Sequence, residues 1–221
     1  MEAETVNSRM THRIKRYGIL PMALAVMALL GCTQSLVLKT TTDVPVPLAT
    51  KLPHEVAVYY PEAFRSYVYE ENTEERPNWA IQCGESQVTL FDRVLPSVFS
   101  RVVHVDGVSQ LNGRTVDAIL VPEVVDMQFA LPHETRTGMY EAWVKYVVHV
   151  YDPEGQPVAE WPVSGYGKTE TAMFTGRDEG LNVAINSAFR DVGAKLTLGF
   201  AALELFKQRS AARQSESSER R

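Results

Sequence analysis

Met139-Tyr-Glu-Ala-Trp-Val-Lys-Tyr-Val-Val-His-Val-Tyr151 alternates almost without a break. Its even positions, Tyr140, Ala142, Val144, Tyr146, Val148 and Val150, form one wholly apolar face, while the odd positions mix Glu141, Trp143, Lys145 and His149. A period of two predicts a long strand with one face on a core and the other half exposed. Asp152-Pro153-Glu154-Gly155 follows, with Pro suited to the first central turn position and Gly to the left-handed one. That turn predicts a hairpin returning along Val158 to Thr169, with Trp161 and Val163 on one face. Pro162 cannot donate to a ladder, which marks the return strand as an edge or a bulge. Upstream, the odd positions of Ile119–Leu131 (Ile119, Val121, Val125, Met127, Phe129, Leu131) are apolar with Glu123 the exception, which predicts a third antiparallel strand.

Two amphipathic helices flank these strands. Val88, Phe91, Leu95, Val98 and Phe99 form an apolar stripe at helical spacing over Glu85–Phe99, with Pro96 expected to kink or shorten it. Leu181, Ala184, Ile185, Ala188, Val192, Leu196, Phe200 and Leu203 form a longer one, with Thr175 or Asp178 as its cap. Val56, Val58 and Tyr60 predict a first strand, Glu70 to Asn78 a charged loop, Val102 to Val105 a short strand, and Asn112-Gly113 a turn. A sheet with one apolar face and two amphipathic helices is satisfied when both helices cover that face. The expected fold is α/β (α+β): a two-layer sandwich, a mainly antiparallel sheet with two helices on one face, in a single domain over residues 55–209.

The N-terminal stretch carries Arg13, Lys15 and Arg16, then an apolar run from Ile19 to Leu30, then Gly31-Cys32. As a helix that run spans about 18 Å, against about 30 Å of hydrocarbon core, so it fits a signal peptide and not a permanent span. Residues 1–9, with two Glu, fit no part of a leader, which points to Met10 as the start. Leu29-Leu30-Gly31-Cys32 resembles the lipobox of bacterial lipoproteins. The resemblance implies cleavage after residue 31, an acylated (palmitate-bearing) Cys32 as the mature N-terminus, and, with Thr33 where inner-membrane retention uses Asp, residence on the periplasmic face of the outer membrane. The 190 mature residues would carry a net charge of −7, against −5 for the whole chain. Residues 32–54, rich in Thr and holding Pro45, Pro47 and Pro53, read as an extended tether. Leu36-Val37-Leu38 is a weak edge-strand signal there. Residues 210–221 read as a polar disordered tail.

Composition removes several function classes. With 45% apolar residues the chain is neither collagenous nor wholly disordered, and with no Lys/Arg run beyond the leader it has no electrostatic footprint for nucleic acid. Once Cys32 is acylated, Cys83 has no partner for an internal disulfide and reads as a buried inert thiol. Gly165-Tyr166-Gly167-Lys168-Thr169 resembles the end of a phosphate-binding loop, but Pro162 stands where the first Gly belongs, and the segment ends a strand. Plain edge-strand glycines explain it. His54, His104, His133 and His149 have no metal spacing; His104 with Asp106, or His133 with Glu134, are the pairs that could meet. No nucleophile, base and oxyanion donor assemble, so no catalytic residue, cofactor or metal is expected.

The three tryptophans, Trp79, Trp143 and Trp161, are more informative. Trp143 lies opposite the apolar face beside Lys145 and Glu141, and an amphipathic aromatic on an exposed sheet can anchor a partner; a third layer over that face is the other reading. Lipobox, tether and β-α-β-β-β-α order together resemble small outer-membrane lipoproteins of the lipopolysaccharide-assembly, peptidoglycan-synthase activator and exopolysaccharide-export types. That resemblance implies a non-enzymatic accessory of the envelope, bound to the membrane through Cys32 and docked on an envelope protein or glycan; it carries no binding residues over, and the strand reading itself offers Trp143, Lys145 and Trp161 as the partner-binding candidates. Self-association is compatible with these features. The alternative is a periplasmic binding protein for a small apolar or glycan ligand, which requires a cavity of at least ~300 Å³ between sheet and helices.

Overall fold

The computed structural model describes residues 35–40, 42–73, 76–111, 113–170, 176–209 and 211. The lipobox, Cys32, the cap candidate Thr175 and nearly all of the expected tail lie outside these residues. The chain divides into two units, residues 36–71 with 79–221 and residues 1–35 with 72–78. Of the second, the structure describes residues 35, 72–73 and 76–78, short backbone pieces in which Ser35 and Asn78 open strands.

The elements run β1 (Ser35–Lys39), β2 (Leu52–Val58), α1 (Glu62–Arg65), β3 (Val68–Glu71), β4 (Asn78–Gln82), α2 (Gly84–Val98), β5 (Phe99–His104), β6 (Ala118–Ala130), β7 (Met139–Tyr151), β8 (Pro157–Glu170) and α3 (Arg177–Gly199). A five-stranded sheet has the order β5-β2-β6-β7-β8, and a three-stranded one the order β1-β4-β3. The long strands β6, β7 and β8 are antiparallel, whereas β2 runs parallel to both β5 and β6. The fold is the expected α+β sandwich.

The even residues of β7 are all buried and meet α2 through Leu90, Phe91, Val94 and Leu95, and α3 through Leu181, Ala184, Ile185, Ala188, Phe189 and Val192. Gly176 is the cap of α3 and makes no side-chain cap bond; Asp178, expected as a cap, lies with Glu179 in the first turn, where its charge complements the helix dipole. In α2 the buried stripe is centred on Leu90 and Val94, and includes Gln87 where the pattern predicted Val88. Gln87 earns its place by hydrogen bonds: its amide donates to the Phe64 carbonyl, and the Tyr146 hydroxyl donates to its Oε1 at 3.2 Å. Pro96 sits exposed in the last turn of α2 and does not shorten it.

Three expectations are corrected. The first concerns β6. Its register shifts between Val124 and Asp126, so Val125 is an extra, exposed residue. One inserted residue reverses the phase of a period-two pattern. Ahead of the bulge Ala118 and Leu120 therefore face the helices, while Ile119 and Val121 join Ala57, Val105 and Val116 in a second cluster; beyond it Met127 and Phe129 return to the main core. The odd positions of β6 thus occupy two faces.

The second correction is the charged loop. Val68–Glu71 pairs with Trp79–Gln82, Tyr69 opposite Ile81, so Glu70, Glu71 and Asn78 at its two ends belong to the strands of a hairpin. Trp79 is buried and stands edge-on to Phe129 at 5.0 Å. Cys83 follows in the same core, its Sγ 3.6 Å from Met127 Sδ, and burial pushes its thiol up to about 12, keeping it protonated and unreactive.

The third is the tether. Leu52 already opens β2, Ser35–Lys39 is β1, and the described residues from Thr40 to Val44 are held down. Leu38, Thr40 and Val44 are buried. The Thr40 hydroxyl donates to Ser86 Oγ at 2.8 Å, Thr42 donates to the Ser86 carbonyl at 2.7 Å, and Arg190 pairs with Asp43 at 2.7 Å. Beyond β1, Pro45 and Pro47 keep the strap from continuing in a sheet, and its backbone at Thr40, Asp43 and Val44 is satisfied instead by side chains of α2 and α3.

Candidate functional site

On the five-stranded sheet, the face away from the helices is covered along its β2–β5 side by the segment 105–116, through Val105, Val108, Leu111 and Val116. Toward the Met139 end of β7 the described residues leave it open. Register builds three cross-strand rows there: Ala130–Glu141–Lys168, Gln128–Trp143–Tyr166 and Asp126–Lys145–Ser164. Trp143 and Tyr166 face each other with ring centroids 5.2 Å apart and planes at 36°, each 39% exposed. Directly opposed aromatics of this kind stabilise a strand pair and present a rigid apolar platform. Desolvation, and then the charge and hydrogen bond of Glu141, hold the Tyr166 phenol above its usual range.

Beside the platform lies a shallow groove of about 110 Å³ lined by Asp126, Trp143, Lys145, Ser164, Tyr166 and Lys195. Its floor is the free edge of β8. There the Tyr166 N–H donates to Asp191 Oδ2 at 3.0 Å, and Lys195 Nζ donates to the Ser164 carbonyl at 2.7 Å and to Asp191 at 2.8 Å. Two side chains of α3 thus close an edge that would otherwise template another strand. Pro162, of the same parity, turns its missing N–H outward, which is why an edge strand tolerates it.

Of the sequence-predicted residues, Trp143 and Lys145 stand together on this face, and Trp161 does not. Trp161 pairs with Val148, faces inward, and packs on Phe200 with centroids 4.9 Å apart. Its parity with Val163 already carried that information. Tyr166 was missed because it sits between two glycines that drew attention to themselves. Those glycines, Gly165 and Gly167, lie inside β8 with no helix start after them, and a Cβ on either would strike the α3 backbone at Ala188 or Ala184.

The histidines pair locally. His104 Nε2 lies 3.0 Å from Asp92, not Asp106, His133 3.9 Å from Glu134, and His149 2.7 Å from Glu123 and 3.3 Å from Glu160. His54 is fully buried, between Asp117 at 3.3 Å and the Phe206 carbonyl at 3.1 Å. Among the described residues no three His, Cys, Asp or Glu side chains are grouped to hold a metal ion, and no helix is long and apolar enough to cross a membrane.

No family model matches the chain, and no curated protein matches it in sequence. Solved structures share its fold. A Xanthomonas campestris protein of the DUF330 family superposes with a TM-score of 0.51 at 13% identity, over 80% of this chain and 99% of that one. A homologue of a neuraminyllactose-binding hemagglutinin from Helicobacter pylori gives 0.46 at 10% identity, over 80% and 100%. Rare lipoprotein B from Shewanella oneidensis gives 0.42 at 8% identity, over 70% and 98%. A lipoprotein is thus among the structural neighbours; the likeness to the Xanthomonas protein, at 13% identity, is one of fold alone.

Proposed function

We propose that this chain is a lipid-anchored accessory protein of a bacterial envelope. It is held at the periplasmic face of the outer membrane through Cys32 and docks on an envelope assembly through the Trp143–Tyr166 face, without catalysis of its own. One observation carries the docking role: a tilted Trp–Tyr pair flanked by Glu141, Lys145 and Lys168 stays open on a sheet whose other side is packed. Rigid aromatics ringed by charge make the usual centre of a protein-binding patch. The ligand-binding alternative loses ground, because Phe64, Phe91, Tyr146, Phe189 and Phe200 fill the space between sheet and helices.

Two tests bear on this reading. Trp143→Ala is expected to lower recovery of membrane partners in affinity purification at least tenfold while the circular dichroism spectrum and melting temperature stay near wild type, because the side chain lies outside the core. Wild-type recovery from a folded variant would overturn the docking face. Cys32→Ser is expected to abolish incorporation of a fatty-acid analogue and move the protein from the membrane to the soluble fraction; unchanged fractionation would overturn the anchor.

A further inference from the structure

The strap and α3 form a surface quite unlike the Trp143 face. Val44 is buried against Gly193, whereas Pro45, Pro47, Ala194, Thr197 and Leu198 line an open apolar groove of about 300 Å³. Around it the large aliphatic side chains are unusually bare: Leu48 is fully exposed, Leu198 is 77% exposed and Val46 is 62% exposed. Soluble surfaces scatter such residues singly, and a cluster of them marks contact with another apolar body. Cations stand at its margin. Arg190 lines the groove, Arg93 donates to the Val44 carbonyl at 2.8 Å, and Lys51 follows three residues after Leu48.

Chain length says what that body is. Cys32 precedes Leu36, the first residue of this unit, by four positions, which span no more than about 14 Å when fully extended. The strap is not slack either, being pinned at Leu38, Thr40 and Val44. An acylated Cys32 therefore keeps the unit against the bilayer instead of tens of ångströms away. Aliphatic side chains with Lys and Arg at the rim suit the boundary between acyl chains and anionic headgroups.

We infer that the face built from Val46, Pro47, Leu48 and Leu198 rests on the lipid bilayer surface, turning the opposite sheet face, with Trp143 and Tyr166, toward the aqueous side. This rests on the acylated Cys32 reading. The test uses the full, acylated chain reconstituted in vesicles of phosphatidylethanolamine and phosphatidylglycerol. Leu48→Cys, Leu198→Cys and, on the other face, Lys168→Cys each carry a polarity-sensitive dye; buried Cys83 stays unlabelled. All three positions are exposed, so folding is not at stake. Nitroxide-labelled lipid is expected to quench the Leu48 and Leu198 dyes at least threefold more than the Lys168 dye, with a blue shift in their emission. Equal quenching at the three positions, with the intact mass showing acyl chains, overturns the membrane-facing surface and leaves the anchor standing. A mass without acyl chains overturns the anchor itself, and the inference with it.

Discussion

Gly167→Ala is expected to destabilise the fold by about 3 kcal/mol or more, a large cost for one added methyl group. A Cβ at this position would fall on the Ala184 carbonyl and the Ala188 amide, and at Gly165 on the Ala188 carbonyl and the Val192 side chain. The nearest of these obstacles at each position is helix backbone, which cannot step aside alone. Accommodating the methyl means lifting α3 off β8 and opening the core that Leu181, Ala184, Ile185 and Ala188 fill. The internal control is the same substitution at Gly193, in α3 itself. The nearest atoms to its Cβ would be side-chain carbons of Leu90, Val44 and Val94, each at 3.4 Å, and alanine gains up to about 1 kcal/mol of helix propensity over glycine. Gly193→Ala is therefore expected to be neutral or stabilising. Urea denaturation of both variants checks the pair; a Gly167→Ala midpoint equal to wild type would refute the close approach of helix and strand.

The same contact shows what a sequence reveals and what it hides. β7 was legible because its signal is local: every even residue from Tyr140 to Val150 is apolar, and every one is buried. The α3 stripe was legible for the same reason. The face assignment of β6 was not, because the bulge at Val125 is set by pairing with Tyr146 and Lys145 on another strand, and nothing near Val125 announces it. The strap misled through composition. Its Thr and Pro residues argue for free chain, and the burial of Val44 against Gly193 has meaning only once α2 and α3 stand side by side. In the candidate site, strand parity placed Trp143 and Lys145 outward. Tyr166 completes the platform only through register across the hairpin, a relation between residues 23 positions apart.

Asp117→Ala is expected to cost about 3 kcal/mol, comparable to the loss of a buried ionic partner, and to loosen the C-terminal segment first. Asp117 sits just ahead of β6 and gathers three groups. Its Oδ2 accepts the Glu55 N–H at 3.0 Å and lies 3.3 Å from His54 Nδ1, and its Oδ1 lies 3.5 Å from the Arg209 guanidinium. The other nitrogen of His54, at the Phe206 carbonyl, ties the helical residues 204–209 to β2, and Phe206 packs its ring against Phe99 and Phe200 with centroids 5.2 and 6.3 Å away. Removing the carboxylate takes an acceptor from the buried His54 and from the Glu55 amide at once, where no solvent is at hand to replace it. At this chain length 3 kcal/mol corresponds to a fall of about 6–12 °C in melting temperature. Arg209→Ala removes only the outermost, part-exposed member and is expected to cost under about 1 kcal/mol. Hydrogen exchange separates the roles: in Asp117→Ala the amides of 204–209 should lose protection well before those of β7, and unchanged protection there would show that the ring of Phe206 alone holds the segment in place.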